Sequence, residues 1–320
     1  MATYLINRFL LLVPTVFLVS VAIFVLLRAV PGDAIFSMLS SGESGEGALG
    51  SDVYAQLRSQ YGLDRPLWEQ YLTWALSVLR GDWGKSIYSS ESVFVELARR
   101  LPTTAELATL TLFISMAIGI PVGVLSAVRQ GSFLDYLGRI STVAFLSMPN
   151  FWLGTLIILV PAMVWRYFPP VTYVSPFEDP LSNLRQFLPP ALALGAQSSA
   201  VVARMTRSTM LEVLRQDYIR TAWAKGLRGS EIHRRHALKN ALIPVITIAG
   251  LQFGSLLGGT VIIESLFGLP GLGQLALAAI QNRDYPQVQA NVVIFACVYV
   301  VINLMVDLAY GWLDPRIRYG

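Results

Sequence analysis

Few residues in this chain could do chemistry, and their spacing excludes most of it. His233 and His236 stand three apart, a spacing that can place two metal ligands on one helix face. They are the only histidines, their surroundings are cationic, and no metal site is expected. Cys297 is the single cysteine, so no internal disulfide exists and no nucleophile–base pair is in sight. Gly84-Lys85-Ser86 looks like the end of a phosphate loop, but Leu79 stands where its first glycine would have to be. That segment reads as a turn. No catalytic residue and no bound cofactor are expected on the chain. Glu264 and Gln252 remain as polar groups in apolar surroundings. A charge deep in a membrane costs about 2.5–3.5 kcal/mol on insertion scales, so both are candidates for a translocation path or gate. For Glu264 the competing reading is an interfacial carboxylate paired with a neighbouring loop. Asp307 is expected to pair with a basic inner loop.

The elements that carry these groups must be membrane spans. Of 320 residues, 54% are hydrophobic and only 14% charged, against roughly 25% charged in an average soluble domain. The mean hydropathy of +0.55 points the same way. Disorder is excluded by the same apolar content. The net charge of +4 is no argument for nucleic acid, because its distribution is what informs. A bilayer core of about 30 Å needs roughly 20 mostly apolar residues per helix. Six such stretches occur: Phe9–Val30, Thr104–Val128, Ile140–Trp165, Phe187–Ala203, Pro244–Phe267 and Val288–Trp312. The fourth is the weakest, with Pro189-Pro190 at its start and Gly195, Gln197, Ser198 and Ser199 within it. The first is read as a retained helix, since no small-residue cleavage site follows it.

Lysine and arginine set the orientation. The segment before span one, connections two and four, and the tail carry fourteen basic residues, while the opposite short loops hold only Arg166, Arg185 and Arg283. Both termini and the fourth connection are therefore expected in the cytoplasm. The chain divides into residues 1–30 with the first span, an extracytoplasmic helical insertion at 31–103, a core at 104–313 and a tail at 314–320. The insertion opens with the Gly/Ser-rich stretch Ser40–Ser51. Two helices should follow, one capped by Asp52 and stopped by Gly62, the other started by Pro66 and stopped by Gly81. The second puts Trp68 and Trp74 where aromatics suit a membrane–water interface. A helical cap on the external rim is the first reading, and a docking surface for an external partner the second.

The fourth connection, 204–243, is the most patterned. A short helix opens at Asp217, whose charge suits the first turn, and stops at Gly226. Ile219, Ala222 and Trp223 fall at i, i+3 and i+4 and give it one apolar face. Ser230 is expected to cap a second helix. Such a basic amphipathic helix can lie on anionic lipid, or it can dock in another protein's groove, which the small Ala222 and Gly226 favour.

On these residues the chain resembles the integral membrane subunits of type I ABC importers. Their loop reads Glu-Ala-Ala, three residues, Gly, then a distal Ile-x-Leu-Pro. Here Arg220-Thr221-Ala222, Gly226 and Leu242-Ile243-Pro244 hold those places. The Glu and first Ala are replaced, and the proline comes eighteen residues after the glycine, as in the peptide-permease variant of the loop. The strings Tyr218–Gly226 and Arg235–Pro244 are similar to that variant, as are Arg28-Ala-Val-Pro-Gly-Asp33, Gly81-Asp82, Leu101-Pro102-Thr103, Phe267–Gly273, Asn282–Pro286 and Leu313–Tyr319. The resemblance is to the B-type permeases of dipeptide and oligopeptide importers. It implies an all-α protein of six transmembrane helices in the prokaryotic plasma membrane. The implied partners are a homologous second permease, two ABC ATPase subunits that bind ATP and Mg, and an extracytoplasmic binding protein delivering peptide. It further implies that Ile219, Thr221, Ala222, Trp223, Lys225, Gly226 and Pro244 couple the chain to an ATPase. Glutathione or a nickel chelate is the alternative cargo. An intramembrane enzyme and a gradient-driven transporter are the rival classes, and no internal repeats or paired midplane charges support the latter.

Overall fold

The computed structural model describes residues 2–29, 56, 59, 62–168, 170 and 172–313. The Gly/Ser-rich stretch, the helix start at Asp52, Asp33, the tail 314–320 and the side chain of Asp307 lie outside the described residues. Apart from one short bridge between Lys85 and Ser92, the described regular structure is helical. Four helices are long and apolar enough to cross a membrane, within Leu12–Ala29, Val93–Val128, Gly229–Gly258 and Tyr285–Val306. The number rises to six if each of two bent helix pairs counts as one span. The chain forms two units, Met1–Pro102 with Gly271–Val300 and Thr103–Pro270 with Val301–Gly320.

The first unit holds α1 (Ala2–Ala29), α2 (Leu67–Leu79), the start of α3 (Val93–Val128), α10 (Leu272–Gln281) and most of α11 (Tyr285–Leu313). Pro66 precedes α2 and Gly81 follows it at φ +87°, the two boundaries that the sequence marks. Tyr71 of α2 fixes α1. Its ring meets Phe24 edge-on at 5.2 Å, and its hydroxyl lies 2.9 Å from Ser20 Oγ. Arg28 Nε donates to Gln70 Oε1 at 2.9 Å. The Gly84–Ser86 turn serves a structural end: the Ser86 hydroxyl donates to the buried Asp284 carboxylate, and the Ile87 N–H reaches the same group at 3.2 Å.

The second unit is built around α6 (Pro180–Val213). Asp179 caps it, accepting from the Leu181 and Ser182 amides at 3.1 Å each. This helix contains the fourth expected span, Phe187–Ala203. It runs for 34 residues, and no window of it is apolar enough to count as a span. The reason is burial by neighbouring helices. Gln186, Ser199 and Thr206 are buried in protein, where polar groups are tolerated in a way that lipid would not allow. α3 comes so close that a Cβ at Gly119 would lie 2.7 Å from the Ser199 carbonyl oxygen, and one at Gly123 2.6 Å from that of Ala203. Glycine is the residue that permits such an approach.

The third expected span, Ile140–Trp165, is not one rod. It divides into α4 (Phe133–Ser147) and α5 (Asn150–Trp165), bent by 99°. Pro149 forces the preceding residue out of the helical region, and Met148 sits at φ −90°, ψ 128°. The fifth, Pro244–Phe267, begins earlier and breaks at Thr260 into α8 (Leu238–Gly259) and α9 (Val261–Phe267). A π segment, Ile232–Ala237, leads into α8. Ser132 caps α4, accepting from the Asp135 amide at 3.4 Å.

Asp135 is buried at the start of α4 and ties three helices together. It accepts from Arg207 Nε of α6 at 2.8 Å and Nη2 at 3.0 Å, and from the Ser126 hydroxyl of α3. Breaking a buried pair strands the remaining charge, which costs about 3–5 kcal/mol. The Arg207 side chain keeps 24% exposure, so Asp135→Ala should destabilise by about 3 kcal/mol, the low end. Denaturation of the purified protein in mild detergent measures it. In the first unit, Asp284→Ala leaves two buried donors unmatched, at about 1–3 kcal/mol each, and the same measurement should show it.

Candidate functional site

Between α6 and α8 the chain makes a separate short helix, α7 (Asp217–Ala224). Eight residues are too few to hold a helix alone, so tertiary contacts must do it. Ile219 is fully buried and Ala222 nearly so. They pack with Met210 of α6, Ala127 of α3, and Ile232, Ala237 and Ala241 from the segment entering α8. Asn240 Nδ2 donates to the Tyr218 hydroxyl at 2.9 Å and pins the first turn to α8. Asp217 occupies that first turn, as its charge favours.

The end of α7 is a hydrogen-bonded stop. Gly226 has φ +76°, its N–H bonds to the Trp223 carbonyl at 2.9 Å, and the Leu227 N–H bonds to that of Ala222 at 3.3 Å. This pair of bonds around a left-handed glycine satisfies carbonyls that a helix end leaves open. Leu227 also packs on the cluster that holds Ala222, which locks the exit direction.

The opposite side of α7 is open. Arg220, Thr221, Trp223, Lys225 and Gly226 are exposed, Trp223 by 50%. The Trp223 ring stands edge-on to His233 at 6.3 Å, and a Cβ at Gly229 would come within 3.1 Å of it. Gly229 thus leaves room for the indole. The result is a basic surface with one aromatic at its centre, on a helix bolted into the second unit. It holds no acid–base pair or nucleophile, and no cluster of three or more His, Cys, Asp or Glu exists among the described residues.

The expected coupling residues therefore divide. Thr221, Trp223, Lys225 and Gly226 face outward, whereas Ile219 and Ala222 are used inside the chain. The apolar face at i, i+3 and i+4 is split because the buried cluster accepts only its Ile219–Ala222 edge. Pro244 stands in α8, half-buried and apart from the exposed surface of α7. Ser230 does not cap the second helix: Arg228 holds the N-cap position without a side-chain bond, and Ser230 is an exposed member of the turn. Tyr218 and Met210 are seat residues to which sequence reasoning assigned no part, and Asn240, a polar candidate without a distinguishing signal, joins them. Tyr218 and Asn240 lie in the two strings that carry the family resemblance, and their pairing across 22 positions was the signal to look for.

Glu264 and Gln252 lie elsewhere. Glu264 is fully buried in α9, and its Oε1 accepts from the Thr104 hydroxyl at 2.8 Å and the Thr260 hydroxyl at 2.7 Å. Its backbone carbonyl receives the Leu269 N–H at 2.8 Å, in a second stop around Gly268 at φ +64°. Gln252 is half-buried in α8, and its buried Oε1 has no hydrogen-bond partner among the described residues.

Comparison with known proteins accounts for this arrangement. Residues 119–319 match the family described as binding-protein-dependent transport system inner membrane component, and residues 1–108 match its N-terminal counterpart. The dipeptide transport system permease protein DppB of Escherichia coli (strain K12) is 38% identical over 342 residues, covering 100% of this chain and 99% of the relative. The glutathione transport system permease protein GsiC of Pectobacterium atrosepticum is also 38% identical, over 319 residues and the full length of both chains. Among solved structures, a chain of the MetNI methionine ABC transporter in an inward-facing conformation aligns with TM-score 0.53 and 21% identity. That alignment covers 69% of this chain and 97% of the other, and it speaks for the fold. By these matches the chain belongs to the family of binding-protein-dependent transport system inner membrane components.

Proposed function

We propose that this chain is the B-type permease of a peptide ABC importer, forming half of a translocation path for di- or oligopeptides. The observation that carries the reading is α7: one edge is fused to the spans through Ile219 and Ala222, and the other offers Trp223 and basic groups to a partner. The partner is an ABC ATPase, which binds ATP and Mg and supplies the hydrolysis. Two ATPases, a homologous second permease and an extracytoplasmic binding protein complete the complex. Six spans, both termini in the cytoplasm and residues 31–103 outside belong to this reading, which the charge bias and the four, or up to six, membrane-long helices support. Closure of the ATPase pair displaces α7, and the spans rock between inward-open and outward-open states. ATP and loaded binding protein must favour one state differentially for this to happen. Gln252, whose buried oxygen has no hydrogen-bond partner among the described residues, and Glu264 are the candidate path residues. Glutathione is the second cargo reading, favoured by the full-length likeness to a glutathione permease.

Gly226→Asp tests the lever. No atom lies within 4 Å of a Cβ built there, so the fold should bear the left-handed strain of about 1–2 kcal/mol. A negative charge at this end also opposes the helix dipole. Insertion and expression should stay normal while uptake of labelled dipeptide or glutathione is lost. Normal uptake by the variant would sink the assignment.

The two sides of α7 should separate in paired variants. Ile219→Ala empties a buried site and should cost about 2–5 kcal/mol of stability. Trp223→Ala should leave thermal stability nearly unchanged yet weaken ATPase retention on co-purification by at least about 2 kcal/mol, the size of an interface hot spot. Equal ATPase retention in both, at wild-type level, would contradict the division.

A further inference from the structure

A cavity in the second unit lies apart from α7. It holds about 690 Å³ between the end of α3, the middle of α4 and the last turns of α6. That volume is in the range of small-molecule sites. Its charged lining is Arg139, Arg204, Arg207, Arg215 and Glu212. Arg207 is already committed to Asp135 by two hydrogen bonds. Arg139, Arg204 and Arg215 make no ion pair among the described residues, against the single carboxylate of Glu212. The cavity therefore carries an uncompensated positive charge on three long side chains.

Two further observations say what the anion is attached to. Gly138–Val143, the α4 part of the lining, starts five residues after the helix begins at Phe133, so it lies roughly 8–15 Å along α4 from the turn at its base. The outer surface of α4 beside it is apolar, with Phe133 78%, Leu137 52% and Ile140 66% exposed. Val143 belongs both to that surface and to the cavity lining. An arginine-lined cavity that opens beside an apolar helix face offers the two environments of a phospholipid, a phosphate and an acyl chain.

We propose that this cavity binds the phosphate headgroup of an anionic phospholipid, with an acyl chain along α4. A basic pocket between helices at the cytoplasmic side is where such headgroups bind. The leaflet concerned is the cytoplasmic one, a clause that rests on the orientation proposed above. The bound phosphate bridges α4 and α6 at the same end as the Asp135–Arg207 pair, so the lipid adds a second tie between those helices.

The test uses the complete transporter, extracted with its partners and placed in nanodiscs of phosphatidylcholine with a minor share of phosphatidylglycerol. Native mass spectrometry then counts the lipid that stays on the permease. Wild type should retain phosphatidylglycerol selectively. Arg139→Gln with Arg204→Gln and Arg215→Gln should lower that retention by roughly tenfold or more, since each arginine near an anionic surface contributes about a fivefold preference. Phosphatidylcholine adducts should not change, and the triple Lys variant should recover most of the retention. Arg204→Gln alone is the reserve should the triple variant fail to assemble, with a loss of about fivefold expected. Equal retention by wild type and either Gln variant would overturn the proposal. So would displacement of the lipid by millimolar inorganic phosphate, which would mark a site for small anions. Labelling of an Arg234→Cys variant, in a background with Cys297 replaced, reports the orientation separately. Label entry from outside would fail the orientation while leaving lipid retention to stand or fall by itself.

Discussion

The close approach of α3 to α6 is the constraint on which the second unit depends. At Gly119 and Gly123 the space next to the backbone is already taken by carbonyl oxygens of α6. Ile114 presses on Gly195 in the same way from the other direction, 2.8 Å from where a Cβ would be. Because α6 is sheathed by other helices, it can carry glutamine, serine and threonine along much of its length. The same sheathing brings Ser126 of α3, Asp135 of α4 and Arg207 of α6 to one point. A side chain at either glycine would collide with the α6 backbone and force these helices to shift.

That floor gives α7 its mechanical character. Met210 and Ala127, which belong to the two helices that meet at the glycines, also line the cluster around Ile219 and Ala222. A displacement of α7 is therefore passed to α6 and α3 through side chains in direct contact, not through a free loop. Packed interiors have low compressibility and transmit strain. The Asn240–Tyr218 bond adds α8 to the set of elements that α7 holds. The division of α7 into a seated edge and an exposed edge is what lets one short helix serve both the protein's interior and a partner's surface.

Two glycines end helices here by the same bonding pattern and to different ends. Gly226 closes α7 in the open, leaving room at its surface. Gly268 closes α9, and its stop uses the carbonyl of Glu264, a residue whose carboxylate is itself held by two threonine hydroxyls. The run from Phe267 to Pro270 is thus a helix stop followed by a buried leucine, Leu269, and a proline that cannot continue the helix. Ser86 and Asp284 show the same economy elsewhere: a turn resembling a phosphate loop and the Asn282–Pro286 string meet in one buried hydrogen bond.

Features of local origin were legible in the sequence. The helical, membrane-spanning composition, α2 between Pro66 and Gly81, and α7 between Asp217 and its glycine stop all follow from residue types over a few positions. The family was legible too, because its strings are contiguous. Three things were not. The bend at Met148–Pro149 sits inside a run whose hydropathy reads as one span. The extent of α6 was hidden because its neighbours, and not lipid, bury its polar residues. The choice of which edge of Ile219, Ala222 and Trp223 turns inward was hidden because all three are apolar and share a face. Sequence by itself determined which segments are helices and where glycine and proline stop them, since those are short-range properties of the backbone. Only the tertiary structure decided which helix sides are buried and which polar groups meet, since burial depends on neighbours that come together from as far as 160 and 198 residues away.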